Sequence, residues 1–176
     1  MDFNYRLANL EDIPYIKRLM EHSIKELLGF YVNDEELEAS LESMGLDDQL
    51  IKDKTYFLIY FHGLLVGCGG WSNRTTLFGG NHTPNRSNEF LNPVKDAAKI
   101  RAMYTHPDWA RRGIGTLILE LAEKEATISG FNRCELMATL SGVHLYKARG
   151  YKINDEIIYK SKQGNNVKMF KMTKLL

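Results

Sequence analysis

AKIRAMYTHPDWARRGIGT, residues 98–116, is the stretch of sequence that decides the fold. Ala97 to Tyr104 is predicted to form a strand, because it is largely apolar and lies between polar segments. Apolar residues then recur at helical spacing from Gly113 to Ser129, and Gly130 marks the end of that helix. A strand, a glycine-containing turn and an amphipathic helix therefore follow one another directly.

The turn before this helix has the chemistry of a phosphate site. The first N–H groups of a helix have no intrahelical acceptor and lie at the positive end of its dipole. Glycines at 113 and 115 carry no Cβ atom that would hold an anion away from the backbone. Arg111 and Arg112 add positive charge, and Thr116 adds a hydroxyl. The alternative is a glycine-rich turn that binds nothing.

Two familiar nucleotide loops fit this turn less well. It lacks the Gly-Lys-Ser/Thr ending of a phosphate loop of the Walker type. A dinucleotide fingerprint would need a third glycine, or an alanine, at the position of Ile118. An acyl carrier nucleotide fits the turn better than either.

The rest of the chain extends this core into one domain, residues 1–176. Periodicity and turn residues predict the following order of elements: a strand at 3–7, helices at 13–28 and 33–45, strands at 55–61 and 64–71, then after residue 130 a strand at 133–139, a short helix at 143–149 and a hairpin of 151–159 with 167–174. Residues 72–96 are rich in Asn, Gly, Pro and Ser and show little periodicity, so they are predicted to form a mobile lid. An exposed edge at Val167 to Lys174 would be able to support a homodimer.

Composition excludes several classes of protein. The 176 residues include 23 Lys plus Arg against 22 Asp plus Glu, so a net charge of +1 argues against nucleic acid or anionic lipid as partner. Two cysteines in apolar stretches predict buried thiols of a reduced compartment. No apolar run is long enough for a membrane span, and five scattered histidines lack the spacing of metal ligands. We expect a soluble cytoplasmic protein without a metal.

Residues 98–115 closely resemble the cofactor-binding motif of the GNAT superfamily of acyl-CoA-dependent N-acyltransferases. The resemblance covers nearly the whole chain in the right order: YRLANLEDI (5–13) is similar to the family's first strand and helix, GLLVGCGGWS (63–72) to its third strand, and ELMATLSGVHLYKARGY (135–151) to its fifth strand and the next helix. The resemblance implies an α/β fold with a mixed, twisted sheet of six or seven strands, helices on both faces, and a splay between strands four and five.

The resemblance also implies a binding mode for acetyl-CoA. Backbone N–H groups of the residues from Arg111 to Thr116, including Ile114, would hold the pyrophosphate, and the pantetheine arm would run beside Met103, Tyr104 and Thr105 like an added strand. Tyr146 matches the tyrosine that protonates the departing sulfur in many relatives. Without the resemblance, Tyr146 would be expected to anchor a short helix. Two positions depart from the family pattern: Ala110 stands where the loop usually has Arg or Gln, and Thr139 to Gly142 replace an asparagine.

The acceptor side is less defined by the sequence. A primary amine must lose a proton before it attacks, yet strand four has no acid, which leaves a water chain or a lid carboxylate, Glu89 or Asp96, as the base. Tyr31, Trp71 and Arg101 are candidate acceptor-binding residues. Packing is the alternative for both aromatic residues, and a solvated or paired charge is the alternative for Arg101.

The sequence therefore predicts an N-acetyltransferase that transfers acetyl from acetyl-CoA to a primary amine of a small molecule or peptide, directly, in a ternary complex. The alternative is an acyl-CoA-binding sensor without turnover, which is favoured by the missing carboxylate on strand four. The two differ in whether amines cause release of free thiol.

Overall fold

The computed structural model describes residues 2–84 and 86–176; Asn85, inside the predicted lid, and Met1 lie outside the described residues. Within these ranges the chain folds into one open seven-stranded sheet with five α-helices. The strands are β1 (Asn4–Leu7), β2 (Tyr56–Phe61), β3 (Leu64–Ser72), β4 (Ala98–Thr105), β5 (Arg133–Ala138), β6 (Lys152–Lys160) and β7 (Asn166–Leu175). The helices are α1 (Ile13–Ser23), α2 (Asp34–Ser43), α3 (Asp48–Lys52), α4 (Ile114–Ile128) and α5 (Val143–Ala148). The predicted α/β class and GNAT-like architecture are confirmed.

Local signals explain where the first helices begin. Asn33 and Glu36 form the reciprocal capping pair that the sequence predicted for α2, with side chains and backbone N–H groups bonded at 2.9 and 3.0 Å. Asn9 caps a short 3₁₀ turn that leads into α1, which then runs on as a π-helical turn, Ile24–Leu28. The five-residue helix α3 was not predicted, because so short a helix carries too little periodicity.

The sheet is antiparallel except at its centre. Its order is β1-β2-β3-β4-β5-β7-β6, and only β4 and β5 are parallel. Their pairing is limited to Ala98 with Cys134 and Lys99 with Glu135, beyond which the two strands separate. The predicted splay between strands four and five is thus confirmed.

The predicted strand edge at Val167 to Lys174 is wrong. These residues belong to β7, which pairs with β5 on one side and with β6 on the other. The hairpin folds back so that its first strand, β6, forms the outer edge, an arrangement that the hairpin signal alone does not specify. The open edges of the sheet are β1 and β6.

Helices cover both faces of the sheet. Helix α1 packs on one face against buried residues of β2, β3 and β4, and α4 packs on the opposite face. Gly67 in β3 lets α4 approach closely, because a Cβ atom there would lie 2.3 Å from Cγ2 of Ile114. The glycines of GLLVGCGGWS therefore bring the start of α4 against the sheet beside the splay. Both cysteines are buried free thiols, as predicted.

None of the helices in the described ranges has the length and apolar character of a transmembrane span.

Candidate active site

The turn at the start of α4 presents a row of unpartnered backbone donors. In the described part of the chain, no acceptor receives a hydrogen bond from the N–H groups of the six residues from Arg111 to Thr116. The first intrahelical bond is that from Leu117 N–H to the carbonyl of Gly113, at 2.9 Å. Among the residues that the structure describes, no side chain caps this helix. Since exposed donors at a helix start bind anions, the turn fits a diphosphate.

Backbone conformation rather than side-chain charge shapes this turn. Gly113 has φ +89°, and Arg111 also has a positive φ, +63°. A positive φ costs glycine nothing and strains other residues, which explains why residue 113 is glycine. Arg112 extends over the ring of Trp109, with 4.7 Å from its guanidinium carbon to the ring centroid. The arginines are exposed and add positive charge around the donors.

A cleft opens where β4 and β5 separate. We define the cleft by its lining residues, which come from the α2–α3 loop, the segment before Gly80, both splayed strands, α5 and β7: Ser43, Met44, Gly45, Leu77, Phe78, Gly79, Ile100, Arg101, Ala102, Met103, Tyr104, Met137, Thr139, Tyr146 and Met169. Met103 and Tyr146 pack against the core cluster that contains α4. Met44 directly follows α2, and Phe78 packs against the cluster that contains Ala39 of α2. The cleft therefore has two faces.

A β-bulge deforms β4 inside the cleft. Cys68 pairs with Tyr104 and Gly70 with Arg101, so Ala102 and Met103 together stand opposite a single residue of β3. Ala102 has φ +49°, an unusual conformation for a residue with a Cβ atom. The bulge redirects β4 at the point where its β5 side has no strand partner.

Hydrogen bonds of two buried tyrosines hold this bulge in place. The hydroxyl of Tyr56, which is fully buried, donates to the carbonyl of Ala102 at 2.7 Å. The hydroxyl of Tyr104 accepts a hydrogen bond from the N–H of Gly45 at 3.3 Å and so ties the strand to the α2–α3 loop. The backbone of the cleft is thus fixed by the hydroxyl groups of two buried tyrosines, of which Tyr104 also lines the cleft.

Tyr146 lies on α5 with its hydroxyl directed at the bulge. The hydroxyl is 3.8 Å from Sδ of Met103, and the ring packs edge-on against Tyr151. Gly142 makes room for this ring, because a Cβ atom there would lie 2.7 Å from Cε2 of Tyr146. Burial raises the pKa of Tyr146 to about 12, so the phenol is protonated at neutral pH and is able to donate a proton.

Arg101 lines the cleft, but its guanidinium group donates hydrogen bonds to other parts of the protein. Its side chain is 2 % exposed and donates to the carbonyls of Thr76 and Gly79, each at 2.8 Å, and to Asp47 at 3.1 Å. Asp47 also forms an ion pair with Arg86, with 2.6 Å between its Oδ1 and a guanidinium nitrogen of Arg86. Of the alternatives that the sequence left open, the structure shows a buried, paired charge that joins β4 to the predicted lid.

The aromatic candidates for acceptor binding lie away from the cleft lining. Trp71 is 4 % exposed and packs against Phe131 in the core, which is the packing alternative. Tyr31 is 47 % exposed and contacts Phe30 in the turn before α2. Neither ring lines the cleft in this structure.

The two carboxylates that the sequence offered as bases do not line the cleft. Glu89 and Asp96 are outside the cleft lining; the carboxylate of Asp96 accepts from the N–H of Asn92 at 2.7 Å. Lys99 forms an ion pair with Glu135 at the closed end of the splay. In the residues that the structure describes, no carboxylate lines the cleft, and no cluster of His, Cys, Asp and Glu could hold a metal ion.

Sequence reasoning missed the wall of the cleft that is formed from the α2–α3 loop and the segment before Gly80. Met44, Asp47 and Phe78 come from segments without a recognisable motif, and only their contacts across the fold bring them to β4. The one available signal was Arg101 itself, since an arginine inside a buried strand requires a carboxylate partner.

Comparisons with known proteins agree with this geometry. A GCN5-related N-acetyltransferase from Rhodopseudomonas palustris superposes with a TM-score of 0.74 at 20% sequence identity, covering 100% of this chain and 97% of that one. The PaiA N-acetyltransferase of Thermoplasma acidophilum, solved in complex with coenzyme A, has a TM-score of 0.66 at 15% identity over 100% of both chains. For the ribosomal-protein-S18-alanine N-acetyltransferase of Escherichia coli the TM-score is 0.60 at 15% identity, over 98% of this chain and 92% of that one.

These likenesses show the fold, and the family follows from the sequence. No curated protein sequence matches the chain significantly. The family model of the acetyltransferase (GNAT) family, however, matches residues 16–151, which contain β2 to β5, the turn before α4, Tyr146 and every lining residue of the cleft except Met169. The chain therefore belongs to the GNAT family of acetyltransferases.

Proposed function

We propose that this protein is an N-acetyltransferase that transfers an acetyl group from acetyl-CoA directly to a primary amine. The observation that carries the proposal is the presence of two features in one fold: six N–H groups at the start of α4 that have no partner among the described residues, and a cleft at the splayed strands with Tyr146 in its lining. The first feature suits a diphosphate and the second suits an extended arm with a reactive end.

Residues of the turn and of β4 would bind the cofactor. The N–H groups from Arg111 to Thr116 would hold the pyrophosphate, and the open side of β4 at Met103 to Thr105 would hydrogen-bond the pantetheine amides. Acetyl-CoA, when bound, supplies an activated acetyl thioester. Thr139, whose hydroxyl is 3.1 Å from that of Ser141, stands at the end of β5 where many relatives have an asparagine.

Tyr146 would act as the general acid. As the amine nitrogen bonds to the acetyl carbon and the carbon–sulfur bond breaks, the sulfur takes the phenolic proton of Tyr146. An acceptor that enters as an ammonium ion loses one proton to solvent before attack and a second as the amide forms. The phenolate regains one proton from solvent, so each turnover releases one proton overall. Positioning in the cleft would supply the rest of the rate enhancement.

The test is release of free thiol from acetyl-CoA across a panel of amines. Tyr146→Phe should lower turnover about 100-fold with unchanged affinity for coenzyme A, because only the proton donor is removed. Tyr151→Phe is the matched control: it removes the other hydroxyl of the same aromatic pair, which donates to Glu123 at 3.0 Å and does not line the cleft. Equal turnover in the wild type and Tyr146→Phe would contradict the acid assignment.

The second candidate function is an acyl-CoA sensor without turnover. The cleft without a carboxylate favours it, since the usual amine base is missing from the described lining. Tight binding of acetyl-CoA by calorimetry together with no thiol release from any amine would select the sensor.

A further inference from the structure

Most side chains that line the cleft are apolar and several are methionines, while polar atoms form about half of its exposed surface. Four methionines face it from four different elements, together with Phe78, Leu77 and Ile100 on the remaining walls: Met44, Met103, Met137 and Met169. Thioether side chains adapt to the shape of an apolar body and offer no strong hydrogen-bond partner to a cation. The methionine, leucine, isoleucine and phenylalanine side chains of the lining therefore favour the hydrocarbon part of an acceptor, and none of them neutralises a charge.

The ionisable groups of the cleft do not include a base. Among the described lining residues these groups are Arg101, Tyr104 and Tyr146. Burial raises the pKa of both tyrosines, so neither takes a proton at neutral pH. The guanidinium of Arg101 is cationic throughout.

Two acids on the elements that wall the cleft, Glu42 and Glu135, already have partners. The carboxylate of Glu42 on α2 accepts the N–H of Lys162 at 3.0 Å, and Glu135 on β5 pairs with Lys99 and Lys171. An acceptor ammonium would find no counter-ion among them.

The charge behind the cleft is positive. Asp47 is shared by Arg101 and Arg86, so two guanidinium groups meet one carboxylate and the cluster has a net charge of +1. Nε of Arg86 is buried and has no hydrogen-bond acceptor among the described residues. A second positive charge that enters the cleft is therefore repelled as well as desolvated.

We propose that this cleft selects apolar monoamines and frees the attacking nitrogen by desolvation and by the positive cluster, with the proton leaving to water, instead of by a carboxylate base. Both a less polar environment and a nearby positive charge favour the neutral form of an amine. The same two effects act against diamines and other polycations, whose second charge has no partner in the cleft. This inference rests on the proposed function and names its acceptor class.

A matched pair of probes tests the selection. Hexylamine and 1,6-diaminohexane have the same carbon chain and differ in one terminal charge. We expect kcat/KM for hexylamine, measured by thiol release, to exceed that for the diamine at least 30-fold in the wild type. Equal values, or a preference for the diamine, would overturn the inference and leave the acetyltransferase proposal standing.

A substitution in the wall should reverse the selection. Met44→Glu adds a carboxylate at the end of α2, where the side chain is half-buried and the helix has ended. It should shift the ratio of the two kcat/KM values toward the diamine at least tenfold. Met44→Gln is the control of nearly equal shape without charge, and should shift the ratio much less. Similar shifts in both variants would show that charge does not govern the choice.

The pH dependence separates the two routes of deprotonation. If water takes the proton, the pH at which kcat/KM levels off follows the pKa of the acceptor, and it should be lower for benzylamine than for the more basic hexylamine. One common inflection near neutral pH for both amines would reveal a base on the enzyme and overturn the inference. Absence of thiol release with every amine would instead overturn the proposed function, and this inference with it.

Discussion

The two sides of the cleft are built in opposite ways. On the side proposed for the cofactor, which we call the open side, the backbone donors from Arg111 to Thr116 have no partner among the described residues. On the side proposed for the acceptor, which we call the closed side, Arg101 is buried and uses its donors on Asp47 and on two backbone carbonyls. The comparison teaches that hydrogen-bond donors stay free on the open side, whereas on the closed side they are used within the protein and fix its shape.

The largest effect is expected from removing the carboxylate that pairs with Arg101 and Arg86. Asp47→Asn leaves the guanidinium groups of Arg101 and Arg86 buried without a counter-charge, which should lower the free energy of unfolding by about 3–5 kcal/mol. Urea denaturation at pH 7 measures it. The control is Glu120→Gln, which removes the exposed pair with Arg149 and should cost under about 1 kcal/mol. Comparable losses in both variants would mean that the buried cluster does not hold the acceptor side together.

The second-largest effect should come from distorting the turn at the start of α4. Gly113→Val forces a β-branched residue to φ +89° and should distort the turn, raising the Kd of coenzyme A about 100-fold, which corresponds to about 2.7 kcal/mol. Gly164→Val is matched to it, since Gly164 has φ +91° and, like Gly113, no atom within 4 Å of an added Cβ. Both variants should lose similar stability, but calorimetry should find the affinity changed only at residue 113. An unchanged Kd in Gly113→Val would separate the turn from cofactor binding.

The same contrast explains how much the sequence predicted. The turn and α4 are local: Gly113, Gly115 and the apolar spacing of the helix lie within 17 residues, so pattern and resemblance were sufficient to predict the strand, turn and helix around them. The capping pair of Asn33 and Glu36 was predicted for the same reason. Such features need no knowledge of the tertiary structure.

The acceptor side could not be predicted in this way. Arg101 meets Asp47 across 54 residues and Gly79 across 22, and neither partner lies in a motif. The position of β7 between β5 and β6 depends on which hairpin strand docks on β5, which periodicity does not encode. The methionine-rich lining of the cleft arises only because the fold brings together four methionines that are distant in the sequence.

A smaller effect should appear where the two sides join, at the bulge of β4. Tyr56→Phe removes the hydrogen bond to the carbonyl of Ala102 and should lower kcat about tenfold, a change of about 1.4 kcal/mol, with the Kd of coenzyme A unchanged. Thr55→Val provides the control, because it removes a buried hydroxyl that donates to Leu50 at 3.2 Å and has no contact with the bulge. If both substitutions lower kcat equally, the hydrogen bond to the bulge does not affect turnover specifically, and the loss reflects a general decrease in stability.

The smallest effect concerns the attachment of residues 72–96, for which mobility remains a prediction. Arg74 lies in this segment and donates to Asp53 at 2.6 and 2.9 Å, and these hydrogen bonds hold the pKa of the Asp53 carboxyl below its usual value. A carboxyl with a lowered folded-state pKa stabilises the fold above its unfolded-state pKa of about 3.9, and this contribution disappears as the pH falls through the folded-state pKa.

Asp53→Asn should therefore cost about 1 kcal/mol at pH 7 and progressively less as the pH falls below 4, as measured by denaturant unfolding. Asp155→Asn, on the exposed edge strand β6 and without an ion pair in the described part of the chain, should show almost no difference at either pH. Hydrogen exchange should at the same time quicken in Asp53→Asn at Thr75 and Leu91, whose amides bond across the segment at 3.0 and 2.8 Å. Faster exchange with unchanged kcat/KM for hexylamine would mean that this attachment holds the segment without shaping the cleft. A parallel fall in kcat/KM would instead mean that the Arg74–Asp53 pair, like the Arg101–Asp47 pair, helps to fix the shape of the cleft.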